Sequence, residues 1–529
     1  MCQAHLAIGE GDEVTQYNAG AWLVDRHVEE GRGDAVAIRF RGSSITYAEV
    51  LADAQRMQAA LAGLGFEPGD RIAMVVNDEP GFVSLFVGAQ RGGIVPIPLS
   101  TMLSAAELAP IVADSGARGL AVSAEYEAHI GPVTAACPAV EHAIVFGAPT
   151  LDPPATVRLH DAAAFDTPAS SPAVADTTRD SQAFWLYSSG TTGVPKGVMH
   201  THGNLQATAD TYAAQVLRVT PDDRFYSIAK LFFAYGLGNS LTFPFSVGAT
   251  TILDDRPPTP PGVLDTITTE RPTLFFASPG FVAALLDADP DPEVFGSVRA
   301  SVTAGEALPG PLQRRFSERF GHPVLDGIGS TEALHIFISN TLEHQEPGST
   351  GVAVPGYELE LRDDEGRVVT AADVPAYLHV RGDSTAVGYW QRPDATAAAF
   401  LPEGWLRTGD VYVRSESGHY TFLGRNSDMI KAGGIWVSPA EVESALIEHD
   451  SVLEAAVVGA HDEQGLETTV AFVVAASGRT IEPDVLVQHC RDRMAAFKRP
   501  RRIIVTDELP KTATGKIRRF ALRELLGDA

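Results

Sequence analysis

The chain has 529 residues, of which 45% are hydrophobic, and a formal net charge of -27 at pH 7. That much apolar material supports two or more packed domains and leaves little room for disordered or fibrous classes, while the charge argues against nonspecific affinity for nucleic acid or an anionic membrane. Cys2, Cys137 and Cys490 are scattered without metal-like spacing, which gives little support to a disulfide framework or a zinc site.

At the N-terminus, MCQAHLAIGEGDEV lacks a charged segment followed by an apolar core, and no run approaches the ~18 to 20 apolar residues that span a bilayer. The expectation is a soluble, cytoplasmic protein without a membrane or nucleic-acid partner. AEVLADAQRMQAALAGLG has helical periodicity, and it alternates along the chain with short β-rich runs such as RIAMVVND, HAIVFG, ATTILDD, PTLFFAS and ASVTAG. That alternation predicts an α/β fold, with parallel-rich sheets covered by helices. From about Gly351 to Gly424 short strands and turns take over (YELELRDDEGR, AYLHVRGD, HYTFLGR), which predicts a β-rich subdomain. In SPAEVESALIEH, Ser438 is the expected helix N-cap, Pro439 the first helical residue and Glu441 the capping-box partner. Two strands in VLEAAVVGAHDEQGLETTVAFVVAA, a helix over PDVLVQHCRDRMAAF and the strand RIIVTD complete a small α+β unit. The predicted division is an N-terminal domain over 1–426 and a small mobile domain over 427–529, with DDRPPTPPG and TPASSPAVADTT as surface loops.

One stretch, SSGTTGVPKGVMHTH at 188–202, concentrates hydroxyls and glycines before a lysine. It follows AFWLY, read as a strand, and leads into GNLQATADTYAAQVL, read as a helix, so its backbone amides are placed to cradle an anion. It is not a Walker A loop, because Lys196 follows Val194 and Pro195 and precedes Gly197.

The order of these residues resembles the phosphate-binding signature of the acyl-adenylate-forming superfamily, the AMP-binding group of acyl-CoA synthetases, adenylation domains and luciferases. The resemblance implies that Ser188, Ser189, Thr191, Thr192 and Lys196 contact the β- and γ-phosphates of ATP, while Gly190 and Gly193 let the loop close. It assigns His200 and His202 no general catalytic role, so packing or surface positions are expected for both. TAGEALP places Ala304, Gly305 and Glu306 against adenine. LDGIGSTE gives Asp326 to the adenine amino group, Thr331 to the α-phosphate and Glu332 to Mg²⁺; Ile328 stands where relatives carry an aromatic, so an aliphatic wall is expected there. Asp410 of WLRTGD and Arg425 of LGR fall at the positions that hold the ribose, and Lys516 of LPKTATGKIRRF at that of the catalytic lysine. An ammonium there suits the chemistry, since a carboxylate and a phosphate must approach one another and charge develops on the phosphoryl oxygens. Lys498, Arg499, Arg501, Arg502, Arg518 and Arg519 form a positive island, read either as a site for the phosphates of coenzyme A or as a solvated face. Ser427 occupies the hinge position in GRNSD, where relatives carry Asp or Lys, and Gly433 and Gly434 match the segment lining the pantetheine tunnel.

AKLFFAYGLGNSLTFP and DGIGSTEALHIFISN resemble benzoate:CoA ligases in particular. The resemblance puts Ala234, Tyr235, Gly236, Gly329, His335 and Ile336 around a short aromatic-acid pocket and Phe233 at a gate toward the thiol tunnel; Phe232 and Phe243 read as core. The implied activity is an ATP- and Mg²⁺-dependent ligase that joins an aromatic acid, benzoate first, to coenzyme A through an acyl-adenylate. A substituted benzoate, a furoate or a medium-chain fatty acid are the other acids considered, and loading of a separate carrier protein the other acceptor. A homodimer, and a lysine acetyltransferase acting on Lys516, are the macromolecular partners considered.

Overall fold

A computed structural model describes residues 15–152, 157–189, 195–432, 435–461, 467–511 and 517–527. Its first long helix, Tyr47–Gly63, forms for reasons local to the chain: the Glu49 N–H donates to Thr46 Oγ1 at 3.3 Å, and the Glu49 carboxylate accepts from the Thr46 N–H at 2.7 Å. Val50, Ala54, Met57 and Leu61 give it one buried face, which packs on the helix Pro80–Arg91. The two backbones approach so closely at Gly88 that a Cβ there would lie 2.5 Å from the Ala54 carbonyl oxygen.

Two large sheets follow from the alternation of strands and helices. One is all parallel, in the order Val95–Pro98, Arg71–Val75, Gly119–Ser123, His142–Phe146, Arg158–Asp161. The other has a parallel centre, running Val36–Phe40, Thr250–Leu253, Arg224–Ser227, Leu274–Ala277, Ala300–Thr303, Val324–Gly329. Antiparallel strands close its edges, Ser43–Thr46 on one side and Ile336–Ser339 with Val352–Ala353 on the other. The central strands are buried on both faces, as their continuous apolar runs require.

The hydroxyl-rich stretch departs from the strand–loop–helix reading. Gln182–Ser189 pairs antiparallel with a second strand, Pro195–Thr201, so the stretch forms a hairpin, and the helix His202–Thr208 starts only after that second strand. The helix therefore begins only after Thr201 and does not follow Lys196 directly.

Glu358–Arg362, Ala376–Arg381, Leu406–Arg414 and Tyr420–Arg425 form a four-stranded antiparallel sheet within the β-rich region. The turn Asn426–Asp428 leads from it to the hairpin Ile430–Ala432/Ile435–Val437 and the helix Pro439–Ile447. Ser438 caps that helix, accepting from the Glu441 N–H at 3.2 Å, but the Glu441 carboxylate is held by Lys498 Nζ at 2.6 Å instead of returning to the cap. Val452–His461, Glu467–Ala475 and Arg502–Val505 make a small sheet, with the helix Pro483–Arg493 packed on it through Leu486 and Cys490. Among the described residues no helix is long and apolar enough to cross a membrane.

Candidate active site

Ligands of open parallel sheets bind beyond the carboxyl ends of the strands, and that is where the predicted nucleotide residues converge. Ala300–Thr303 runs into Ala304, Gly305 and Glu306; the φ of +97° at Gly305 lies in the left-handed region, which glycine adopts without strain. The neighbouring strand Val324–Gly329 supplies Asp326 and Ile328, and the paired strands of the β-rich sheet supply Asp410 and Arg425 directly opposite one another. Gly305, Glu306, Asp326, Ile328, Asp410 and Arg425 all line one cavity of about 710 Å³.

Asp326 is 4% exposed and accepts from Thr303 Oγ1 at 3.3 Å; burial pushes its pKa up to about 8. A donor group entering the cavity would relieve that desolvation. Asp410 is buried and ion-paired with Arg425 Nε at 3.1 Å, and Arg425 Nη1 also donates to the Thr408 carbonyl at 2.8 Å. Ile328 presents an aliphatic side chain to the cavity.

The C-terminal residues close the same space. The Ile517 N–H donates to Glu306 Oε1 at 2.7 Å, and Lys511, Ile517 and Arg519 stand among the lining residues. Burial raises the Glu306 pKa, and the bond from Ile517 followed by the field of Arg519 act in the other direction. Arg519 is paired with Glu443 at 2.7 Å and Lys498 with Glu441, so part of the positive island is already neutralised by acidic partners, and Lys511 near it is likewise paired with Glu454 at 2.6 Å.

At the hairpin, Ser188 lies opposite Lys196 in the strand register. Ser188 Oγ donates to Glu332 Oε1 at 3.4 Å, Tyr389 Oη donates to the same oxygen at 2.8 Å, and Lys196 Nζ lies 5.0 Å from the centre of the Tyr389 ring. The hairpin thus meets the carboxylate of Glu332 directly. Tyr389 was missed in the sequence, where GYW carries no charge or glycine loop; only its pairing with Val198 on the hairpin brings it here. His200 lies behind this group, fully buried, with Nε2 donating to the Thr331 carbonyl at 2.8 Å. His202 is equally buried and accepts from the Ala19 N–H at 3.0 Å. Burial lowers both imidazoles to a pKa of about 4, so each is a neutral packing group.

The predicted acid-pocket residues form a second cluster. Phe233 precedes the short helix Ala234–Leu237, where Gly236 is obligatory because a Cβ would lie 2.1 Å from the Lys230 carbonyl oxygen. Phe233, Ala234 and Tyr235 are partly buried, while Phe232 and Phe243 are buried. Tyr235 Oη donates to the Val302 carbonyl at 3.0 Å. His335 is enclosed by the rings of Phe243, Tyr212 and Tyr235 at 4.5, 5.4 and 5.6 Å, with Nε2 3.2 Å from Asn239 Oδ1, and burial lowers its pKa to about 3. Ile336 packs over Gly327 in the core. Gly329 joins the two clusters, for it lines the same cavity as Asp326 and Ile328, and a Cβ on it would lie 2.4 Å from the His335 carbonyl oxygen. Ser427 is exposed in the turn Asn426–Asp428. The Ser189 side chain, Gly190, Thr191, Thr192, Gly193, Gly433, Gly434 and Lys516 lie outside the described residues.

Residues 24–390 match the family model described as AMP-binding enzyme, and residues 441–516 match the AMP-binding enzyme C-terminal domain. The chain belongs to the AMP-binding enzyme family. This AMP-binding enzyme is 43% identical over 515 residues to a benzoate–CoA ligase of Thauera aromatica, covering 96% of each chain. It is 42% identical over 520 residues to a 4-hydroxybenzoate–CoA/benzoate–CoA ligase of Rhodopseudomonas palustris, covering 97% of this chain and 95% of that one. Its structure superposes with a TM-score of 0.87 on a benzoate CoA ligase from Burkholderia xenovorans LB400, at 40% identity, covering 96% of this chain and 100% of the other.

Proposed function

We propose that this AMP-binding enzyme is an ATP-dependent aromatic acid:CoA ligase whose principal substrate is benzoate. The observation that carries the reading is the full-length likeness, at 40% identity or more, to benzoate-activating ligases in sequence and structure. The ring-lined cluster of Tyr235, His335 and their neighbours, one glycine away from the nucleotide cavity, supports an acid of that shape.

In the first half-reaction a carboxylate oxygen attacks the α-phosphorus of ATP and the bond to pyrophosphate breaks, which leaves an acyl-adenylate. Asp326 receives the adenine amino group, Ile328 packs on the ring, and Asp410 with Arg425 holds the ribose. Ser188, Ser189, Thr191, Thr192 and Lys196 take the β- and γ-phosphates, and Thr331 the α-phosphate. Lys516 offsets the charge that grows on the phosphoryl oxygens. The contact between Ile517 and Glu306 fixes the residue that follows Lys516 at the cavity wall, so Glu306 positions the lysine segment for this step. The donor set suits a hard cation: Glu332 offers a carboxylate, with the hydroxyls of Ser188 and Tyr389 meeting it on one oxygen. Glu332 would hold Mg²⁺, which when bound neutralises charge on the departing pyrophosphate. In the second half-reaction the small domain turns about Ser427, Gly433 and Gly434 admit the pantetheine arm, and the thiolate of coenzyme A attacks the acyl carbon and expels AMP.

Benzoate-dependent exchange of labelled pyrophosphate into ATP, without coenzyme A, tests the first half-reaction. Exchange is expected with benzoate, and its absence with every aromatic acid would overturn the reading. Acetylation of Lys516 would remove its charge and stop adenylation, and a homodimer is the quaternary state proposed; intact mass and light scattering of the native protein test these two points.

A further inference from the structure

We propose that His344, Glu346 and His419 form a binding site for a divalent transition metal of the zinc class, separate from the nucleotide site. Each residue offers one ligand atom, and these atoms all lie within 4.8 Å of one another. Two imidazoles and a carboxylate are the donor set that zinc takes in three-ligand sites with an open fourth position. Ligand atoms on one tetrahedral zinc ion, at bonds of about 2.0 to 2.2 Å, stand roughly 3.4 Å apart, so the widest pair closes by no more than roughly 1.4 Å. Side-chain rotation suffices for that, since Glu346 is 47% exposed and His419 still 13% exposed.

The backbone holds the three positions ready. The Glu346 N–H donates to Asn340 Oδ1 at 2.8 Å, and the His344 N–H to Thr341 Oγ1 at 3.2 Å. The His419 N–H donates to Ser415 Oγ at 3.1 Å, and the next residue, Tyr420, donates from its N–H to the Gly351 carbonyl at 2.7 Å. The ligand side chains already face one another: the imidazole centroids of His344 and His419 are 5.1 Å apart, and His419 Nδ1 is 3.2 Å from Glu346 Oε2. None of the three lines the nucleotide cavity. His344 and Glu346 belong to the segment that follows strand Ile336–Ser339 of the nine-stranded sheet, whereas His419 belongs to the turn between Leu406–Arg414 and Tyr420–Arg425, the strands carrying Asp410 and Arg425. A metal ion here would tie that sheet to the β-rich subdomain.

The test uses the full chain, stripped of metal with a chelator and dialysed against buffered zinc chloride. The wild type is expected to retain one zinc ion per chain, and its Tm to rise by about 3 °C when free zinc is 100-fold above the dissociation constant. Cobalt chloride should give the visible bands of a four-coordinate site. The double variant His344→Ala/His419→Ala should lose both the ion and the bands. Glu346→Gln, which leaves both imidazoles and the fold in place, should weaken zinc retention at least tenfold. Failure of the wild type to hold stoichiometric zinc would overturn the proposal. So would retention by the double variant, which would place the ion elsewhere, as at the His142–His160 pair.

Discussion

Replacing Glu306 isolates the contact that sets the C-terminal segment against the nucleotide cavity. Glu306 Oε1 accepts from the Ile517 N–H at 2.7 Å on the wall of the cavity. A hydrogen bond to a charged acceptor contributes about 1.5 to 3 kcal/mol, equivalent to roughly a 10- to 150-fold change in an equilibrium. Glu306→Ala removes the acceptor, so the population holding the lysine segment in place, and with it the kcat of adenylation, should fall by at least tenfold. Glu306→Gln keeps a neutral acceptor, of about 1 kcal/mol, so about 0.5 to 2 kcal/mol is lost and the fall should be roughly 2- to 30-fold, smaller than in the alanine variant. Pyrophosphate exchange reads the adenylation step, and conversion of preformed benzoyl-adenylate with coenzyme A reads the thioester step, which should change little. Equal losses in the two half-reactions would refute the positioning role. A rise in KM for ATP at unchanged kcat would show instead that Glu306 acts only by touching the nucleotide.

Lys516→Ala should lower adenylation by roughly a hundredfold or more, at about 3 kcal/mol for one preorganised charge, and spare most of thioester formation from preformed adenylate; half-reaction kinetics check this. Ser427→Pro, in the exposed turn Asn426–Asp428, should depress one half-reaction far more than the other by fixing φ, whereas parallel declines in the same assays would indicate general destabilisation. Ala234→Leu should cost benzoate about 1 to 3 kcal/mol in kcat/KM and furoate less, and a uniform drop across acids would place Ala234 in structural packing. Burial holds Asp326 protonated in the folded state up to about pH 8. The folded state therefore binds more protons than the unfolded one between its pKa and the ordinary carboxylate value, and this group makes stability fall as pH rises through that window. The slope is at most about 1.4 kcal/mol per pH unit, and denaturant titrations from pH 5 to 8 should show it reduced in Asp326→Asn.

Much of the fold was legible because local signals agreed with tertiary packing. The periodicity of AEVLADAQRMQAALAGLG announced one helix and Ser438 another, and apolar runs such as Leu274–Ala277 became doubly buried strands. Pro195–Thr201 escaped because Pro195 and Gly197 read as loop residues; the pairing that makes a strand of them comes from Gln182–Ser189 on one side and Gly388–Tyr389 on the other, a partner nearly 200 residues away. Glu441 was read as a cap from its spacing, yet Lys498, 57 residues on, competes for its carboxylate. The residues that line the cavity could be picked out beforehand because they sit in short ordered strings, whereas Tyr389 and the bond between Ile517 and Glu306 depend on contacts between distant segments. Cysteine spacing gave no sign of the His344–Glu346–His419 group, which uses no thiol and draws its third ligand from another strand pair.

The central claim is tested most directly by the products formed from a panel of acids with ATP, Mg²⁺ and coenzyme A, identified by mass. Benzoyl-CoA and AMP should form in equal amounts, with kcat/KM for benzoate above that for para-substituted benzoates, furoate and octanoate. A preference for octanoate, or adenylate accumulating with no thioester when coenzyme A is present, would contradict the account.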